Sequence, residues 1–519
     1  MNLAIFHYHL NRGGVTQVIL NHLRSLEACL QEKKPIKVAI FYGGRKQAWP
    51  DEISDKLQAL EIQLVAIPLL DYHEPDECPP VRLIQEVHNR LQALDFQQEE
   101  TLLHIHNHSL GKNAAWPLMV QALAKGGYAT LLQMHDFAED YRPENYHRLT
   151  IGLTTDSTKP FHQQLYPQAP QIHYSVLNGR DGNYLKDSGF PLERLHQLPN
   201  PALPIDNLPS RKYARKKLKA LFDIPEDASF LLYPVRGIRR KNLGEWLLWS
   251  LLSPENCWLG LTLAPLNPVE IPHYERWKNW AEEHNLRCAF ETGGEEKLTF
   301  GENLVASDAL LTTSLVEGFG MVFLEAWLAA RPLIGRDLPA ITQDFKQAGL
   351  QLDALADHVW IPIEWLGKEN FQSMLISYLR PVLEAYQQPS SENNQTKEIE
   401  KLIKNHCIDF GKLDSQWQEK ILEKLFHEPE ARETLLTLNP HISAGFSLAQ
   451  MKPTALIEAN KQVVQSHYSM QASGERLLTI YQKVMSSKKS THFEETDAGK
   501  DLLNCFLSIE ALYPVRLEN

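Results

Sequence analysis

Short apolar runs alternate along this chain with stretches whose apolar residues recur every three or four positions. "LAIFHYHL" reads as a strand and "NRGG" as a turn, and "VTQVILNHLRSLEACLQE" reads as a helix with Val15, Val18, Ile19, His22, Leu23 and Leu26 near one face. Strand-like runs follow at "IKVAIFYGG", "IQLVAIPLL", "TLLHIHNHS" and "YATLLQMHD", with the helical "VRLIQEVHNRLQAL" among them. This alternation predicts an α/β fold, a parallel sheet with helices on both faces.

Around residues 199–210 the text changes to "LPNPALPIDNLPS", proline-dense and without period, which reads as a linker. A second alternation begins after it: strands at "ASFLLYPVR", "CWLGLTLAP" and "RCAFET", helices at "NLGEWLLWSLL" and "HYERWKNWAEEHNL", then "LVASDALLTTS" and "RPLIGRD". From about residue 386 the chain turns polar and then helical, and a long helix is expected around "GERLLTIYQKVM". The expected parts are 1–203, 204–385, a helical insertion at 386–455, and helices at 456–519 that cross back to the first domain. Two facing halves of this kind put their strand-end loops into a shared cleft.

Composition narrows the partners. At 519 residues with 43% hydrophobic residues, the chain supplies more than one core. Its net charge of −12 argues against a nucleic-acid surface while leaving room for a local basic pocket. The six cysteines lack CxxC spacing and fit reduced thiols better than a disulfide framework or zinc site. No leader pattern opens the sequence and no apolar run approaches a membrane span, so a cytoplasmic location is expected.

The candidate chemistry begins at "LVEGFGMVFLEAWLAARPLIGRD", residues 315–337. Gly318 and Gly320 permit close backbone approach, and a helix starting near Met321 directs unpaired N–H groups at the turn, a place suited to an anion. Glu317 can accept from sugar hydroxyls, and Glu325, about one turn into the helix, can grip both hydroxyls of a ribose. "YPVRGIRRKN" ends a strand and carries Arg236 and Lys241, with Arg239 and Arg240 between them. Such cations neutralise a leaving diphosphate. Alone, each feature has a plainer explanation: an acid favoured by a helix dipole, a solvated helix residue, a solvated basic turn.

Together, "TTSLVEGFGMVFLEAWLAARPLIGRD" and the "VR…RK" turn resemble the signature of retaining nucleotide-sugar glycosyltransferases of the GT-B fold, the family 4-like or group 1 enzymes. The resemblance covers roughly residues 1–375 and a terminal helix near 456–487. It implies two Rossmann-like domains across a cleft, with the acceptor domain first and the nucleotide-sugar domain second. It further implies that Arg236 and Lys241 bind the donor diphosphate, that Glu317 contacts the donor sugar and Glu325 the ribose, and that the amides of Gly318, Phe319 and Gly320 line the turn. "NRGGVTQVI" is similar to the family's Gly-Gly loop, implicating Gly13 and Gly14 at the diphosphate. "LLQMHD" ends a strand where the family often has a histidine near the transferred sugar, here His135. The implied activity is hexose transfer from a UDP-, GDP- or ADP-hexose to a small-molecule, glycan or lipid-linked acceptor, with retention and without a cofactor or essential metal. The 386–455 block has no counterpart in the family, and "RGIRRKN" lacks the glycine that commonly follows the lysine.

"HIHNHS" places His104, His106 and His108 on one strand face, a spacing open to a metal or to structural packing. The favoured reading is an acceptor wall in which Asn107, His108, Asp136 and Asp140 bond hydroxyls. The basic "SRKYARKKLKAL" is expected to be a solvated helix, with peripheral membrane contact less favoured. Rival functions are a non-hydrolysing nucleotide-sugar epimerase and a non-catalytic nucleotide-sugar-binding protein. A dinucleotide dehydrogenase is weaker, because "NRGGVTQ" lacks G-x-G-x-x-G.

Overall fold

The central strands of the first half are buried along their length because helices cover both faces of the sheet, whereas its edge strands are partly exposed. The computed structural model describes residues 1–30, 35–154, 159–388 and 391–518. Strands β1 (Asn2–Phe6), β2 (Ile36–Tyr42), β3 (Leu60–Ala66), β4 (Thr101–His106), β5 (Ala129–Met134), β6 (Ile172–Val176) and β7 (Leu195–Gln197) form one sheet in the order β3-β2-β1-β4-β5-β6-β7. Every pairing in it is parallel. The order reverses between β1 and β4, and such a reversal opens a crevice at the carboxyl ends of those strands.

The second sheet repeats the scheme with β8 (Ser229–Arg236), β9 (Cys257–Leu263), β10 (Cys288–Ala289), β11 (Ala309–Thr312), β12 (Leu333–Arg336) and β13 (Leu355–Ala356), ordered β10-β9-β8-β11-β12-β13. Its reversal lies between β8 and β11, the strands that lead into the basic turn and the glycine turn. A small antiparallel pair, β14 (Trp360–Pro362) and β15 (Cys407–Asp409), stands apart.

Several expected elements are shorter than the pattern suggests. β1 stops at Phe6, and residues 7–10 leave the sheet as a loop; in "RCAFET" only Cys288–Ala289 pairs. The first helix runs Gly14–Leu30, and the last two positions expected in it, 31 and 32, lie outside the described residues.

The chain divides into two units of discontinuous sequence: residues 1–201, 382–388 and 467–508 form one, and 202–381, 389–466 and 509–519 form the other. The 386–455 block is therefore mostly part of the second unit, and only a portion of 456–519 joins the first. In the first unit, helix Met470–Met485 packs on helix Gly14–Leu30, placing Leu477, Ile480, Tyr481 and Val484 in one core with Ile19, Leu23 and Leu26. Burial of each such side chain contributes about 1.5–3 kcal/mol. Gly474 permits the approach, since a Cβ there would lie 2.1 Å from the Ser25 carbonyl oxygen.

In the second unit the block is tied in by charge. Arg336, at the end of β12, bonds Glu245 at 2.5 Å and Asp409 of β15 at 2.8 Å, all three buried. The basic helix Arg211–Phe222 directs Arg211 and Arg215 to Asp308 and Lys217 to Glu302, so half of its cations are used within the unit. No helix among the described residues is long and apolar enough to cross a membrane.

Candidate active site

Pro234 cannot donate to the sheet, and the β8–β9 register shifts between Tyr233 and Arg236. That irregularity carries Arg236 to the end of β8, where one guanidinium N–H donates to the Ala264 carbonyl at 3.0 Å. The chain then makes a short 3-10 turn, Arg239–Lys241, and leaves it through Asn242 with φ +52°. Asparagine tolerates this left-handed conformation, which explains why the turn works without the expected glycine. Asn242 is locked by its donation to Glu245 at 2.7 Å and by Gln418 at 2.9 Å.

The glycine turn is stitched onto this basic turn. Leu315 N–H donates to the Arg240 carbonyl at 2.9 Å, and Thr313 Oγ1 donates to the Lys241 carbonyl at 2.8 Å. Glu317 is buried between the two segments, ion-paired with Lys241 Nζ, 2.6 Å from Arg240 Nη1, and accepting from Ser314 Oγ at 2.7 Å. Ser314 in turn meets Tyr233 Oη at 2.6 Å. Burial raises the Glu317 pKa, but the Lys241 and Arg240 charges and the hydrogen bonds from Lys241 and Ser314 outweigh it and hold the group at about 2. Glu317 is thus a fixed anion beside fixed cations.

Glu325 differs. It sits in the first turn of helix Val322–Leu328, burial pushes its pKa up, and its carboxylate has no hydrogen-bond or ion-pair partner among the described residues. Phe319 packs its ring edge-on to Phe345 at 5.5 Å, so only its backbone faces the turn's chemistry. Gly320 has φ +84°, a conformation that favours glycine. Gly318 has no such need: a Cβ there would meet nothing within 4 Å. The same holds for Gly14 in the first unit, and at Gly13 a Cβ would meet only the Asn11 carbonyl oxygen at 3.9 Å. At these positions the protein's own packing does not exclude a side chain.

The first unit gathers a second set at the ends of β4 and β5. Asn107, with φ +57°, accepts through Oδ1 from the backbone N–H of His135 at 2.7 Å and of Asp136 at 3.3 Å. It therefore shapes the end of β5. His135 Nε2 lies 2.8 Å from His106 Nδ1, and burial pushes His135 down to about 4, leaving it neutral at pH 7. Asp136 pairs with Arg142 at 2.6 Å. His108 turns away from the other candidates: it lies beyond β4, fully buried, with Nε2 at 3.0 Å from the Leu165 carbonyl.

Sequence reasoning brings Arg236, Lys241, Glu317 and His135 to strand ends, where they stand. It gives no role to Ser314 or Tyr233, whose hydroxyls carry no motif signal, and it counts His22 only as a helix-face position. It also passes over Lys112, which burial and the Arg148 and Arg142 charges push down in pKa, and whose ammonium lies 5.5 Å from the centre of the Tyr72 ring.

Two doubly wound parallel sheets with a helical carboxyl-terminal region make up the GT-B fold. The chain is similar along its length to the mannosylglucosyl-3-phosphoglycerate synthase of Petrotoga mobilis, 25% identical over 537 residues that cover 98% of each chain. In fold it is similar to a glycosyltransferase from Rickettsia africae, with a TM-score of 0.53 and 12% identity, covering 93% of this chain and 98% of that one. OtsA is similar too, with a TM-score of 0.50 and 11% identity over 93% of this chain and 99% of its own. No family model matches the sequence.

Proposed function

We propose that this chain transfers a hexose from a nucleotide diphosphate sugar to a hydroxyl of an anionic, phosphoglycerate-bearing acceptor, with retention of configuration. The observation that carries the reading is the interlocked turn pair, in which Glu317 is held ionised by Lys241 and Arg240 beside Gly318, whose missing side chain leaves open space.

In this reading Arg236 and Lys241 take the charge that develops on the departing diphosphate. Glu317 orients the sugar, and the partnerless Glu325 carboxylate receives the ribose hydroxyls. The amides of the 318–320 turn and the Gly13–Gly14 loop approach the diphosphate, and these cations and amides serve without a divalent metal there. Neutral His135 accepts or donates a hydrogen bond to the sugar without adding charge. The acceptor class rests on two supports: the full-length likeness to a synthase whose product carries a phosphoglycerate, and the cation Lys112, whose pKa burial and the nearby Arg148 and Arg142 charges push down in the first unit. Lys112 has no ion-pair partner among the described residues, so a phosphate or carboxylate has a cation to meet. The location in this reading is cytoplasmic.

The test is a product assay with UDP-, GDP- and ADP-hexoses against glucosyl-3-phosphoglycerate, 3-phosphoglycerate and glucose, read by mass spectrometry and by the anomeric coupling of the new linkage. Transfer to a phosphoglycerate acceptor with the donor's anomeric configuration is expected. Epimerised donor without transfer, or an inverted linkage, overturns it.

A further inference from the structure

Three histidines converge inside the first unit, behind the residues just described. His104 and His106 lie two apart on β4, and His22 reaches them from helix Gly14–Leu30. All three are fully buried, and a nitrogen from each lies within 4.8 Å of the other two. Their rings pack closely: centroids are 4.4 Å apart for His104–His106 and 5.6 Å for His22–His104.

The hydrogen bonds around them are lopsided. Both ring nitrogens of His22 and Nε2 of His106 are buried without a partner. A buried unmade hydrogen bond costs about 1–3 kcal/mol, and three in one spot are a poor way to fill a core that leucine would fill. The outward nitrogens, by contrast, are engaged. His106 Nδ1 meets His135 Nε2 at 2.8 Å, and His104 Nε2 meets Gln133 Oε1 at 2.8 Å. With His106 Nδ1–H donating to His135, the lone pair is on Nε2, the nitrogen without a partner among the described residues. With Gln133 Oε1 accepting from His104 Nε2–H, the His104 lone pair is on Nδ1, where Tyr481 Oη lies at 2.8 Å. An inner lone pair backed by an outer N–H donated to a protein acceptor is how metal-bound imidazoles are held.

We propose that His22, His104 and His106 bind one borderline transition-metal ion, Zn²⁺ by ligand type, with the Tyr481 hydroxyl as the neighbouring oxygen donor. Two histidines two apart on a strand and a third from a facing element suit a tetrahedral ion, and imidazole nitrogens select zinc, cobalt, nickel or copper over magnesium or calcium. Ligand nitrogens around tetrahedral zinc are about 3.3 Å apart given its bond lengths, so binding requires the stacked His104 and His106 rings to turn their edges toward one point and His104 Nδ1 to exchange the Tyr481 hydroxyl for the ion. The ion would pin helix Gly14–Leu30 and helix Met470–Met485 to β4. Through His106 it would fix the orientation of His135, making His106 a positioning residue for that side chain. This site is separate from the donor diphosphate, and it revises the expectation of no metal in the chain.

The test uses the full chain, unfolded in guanidinium with chelator and refolded with or without Zn²⁺ or Co²⁺. Expected are about one equivalent of metal surviving gel filtration and a brief EDTA wash, visible Co²⁺ bands of tetrahedral type, and a higher Tm with metal than without. His22→Asn should abolish the bands while circular dichroism shows a folded chain. If that variant does not fold, the metal content and the Tm difference of the wild-type chain decide the matter by themselves. A wild-type chain that refolds to the same Tm without metal and retains none overturns the proposal. So does metal stripped at once by EDTA, which marks surface histidines, or a Co²⁺ spectrum unchanged in folded His22→Asn.

Discussion

The strand ends of the two units are built from opposite materials. In the second unit, Glu317 and Lys241 are charged, buried and already paired, with the partly exposed Arg240 closing on the same carboxylate; in the first, His135 and His106 are neutral, stacked at 5.1 Å, and kept so by burial. In the function proposed above, this preset ionic lattice meets the diphosphate with little reorganisation, because its dipoles and charges are fixed in advance. Neutral imidazoles suit contact with a sugar, where an added charge would need its own counter-ion. In the proposed function, that difference divides charge handling from sugar handling.

The largest expected effect tests how far the second unit depends on buried charge. Arg336→Ala leaves Glu245 and Asp409 buried without their cation, and about 3–5 kcal/mol of stability should be lost. Urea denaturation measures it; a loss under 1 kcal/mol, on the order of a surface pair, would mean that the ionic core is incidental.

Next comes the leaving-group clamp. Lys241→Ala and Arg236→Ala should each lower kcat about 10²–10³-fold, as loss of an electrostatic stabiliser does, with circular dichroism unchanged. Near-normal turnover in both would remove the second unit's side of the contrast.

Smaller effects should divide by ligand. Lys112→Ala should raise KM for a phosphoglycerate acceptor about tenfold, a difference of about 1.4 kcal/mol, and leave a neutral acceptor unchanged. Glu325→Ala should instead weaken the bare nucleoside diphosphate, read by titration calorimetry. If Lys112→Ala weakens the nucleotide as well, the division of labour fails.

The smallest effect is a pH window. His173 and His196 form a stacked pair 2.8 Å apart between β6 and β7, and burial holds both at about 4. Their unfolded value is near 6.5, so the unfolded chain binds more protons between about 4 and 6.5, and stability falls as pH drops through that range. Glu317, at about 2, gives up its contribution only below its unfolded value near 4.5. Acidification from pH 6.5 to 5 should therefore loosen the β6–β7 edge before the ionic turns, because in that range the two imidazoles take up protons chiefly in the unfolded chain. Hydrogen exchange resolves the two regions, and equal loosening would erase the distinction.

The sequence carried the sheets well because strands buried on both faces are written as apolar runs, as "TLLHIH" and "FLLYPVR" are. It carried the ionic turn through local spacing, since Arg236 to Lys241 and Glu317 to Glu325 are short-range patterns. What it hid was long-range. Nothing in "LNHLRS" says that His22 faces His104 and His106, because that meeting depends on a helix docking against a strand some eighty residues on. Likewise Arg336 meets Asp409 across 73 positions. His108 misled for the opposite reason: period-two spacing extends only as far as the strand, and β4 ends at His106.

The first unit's core includes Leu477, Tyr481 and Leu502, though its first strand begins at Asn2. On a ribosome that makes the chain from its amino end, this core stays unfinished until residues near 502 have emerged. During that interval the apolar face of helix Gly14–Leu30 has no mate, and a truncation near residue 466 would make the vacancy permanent. Expression yield should therefore depend on residues 467–508 more steeply than on any residue placed at the proposed donor site.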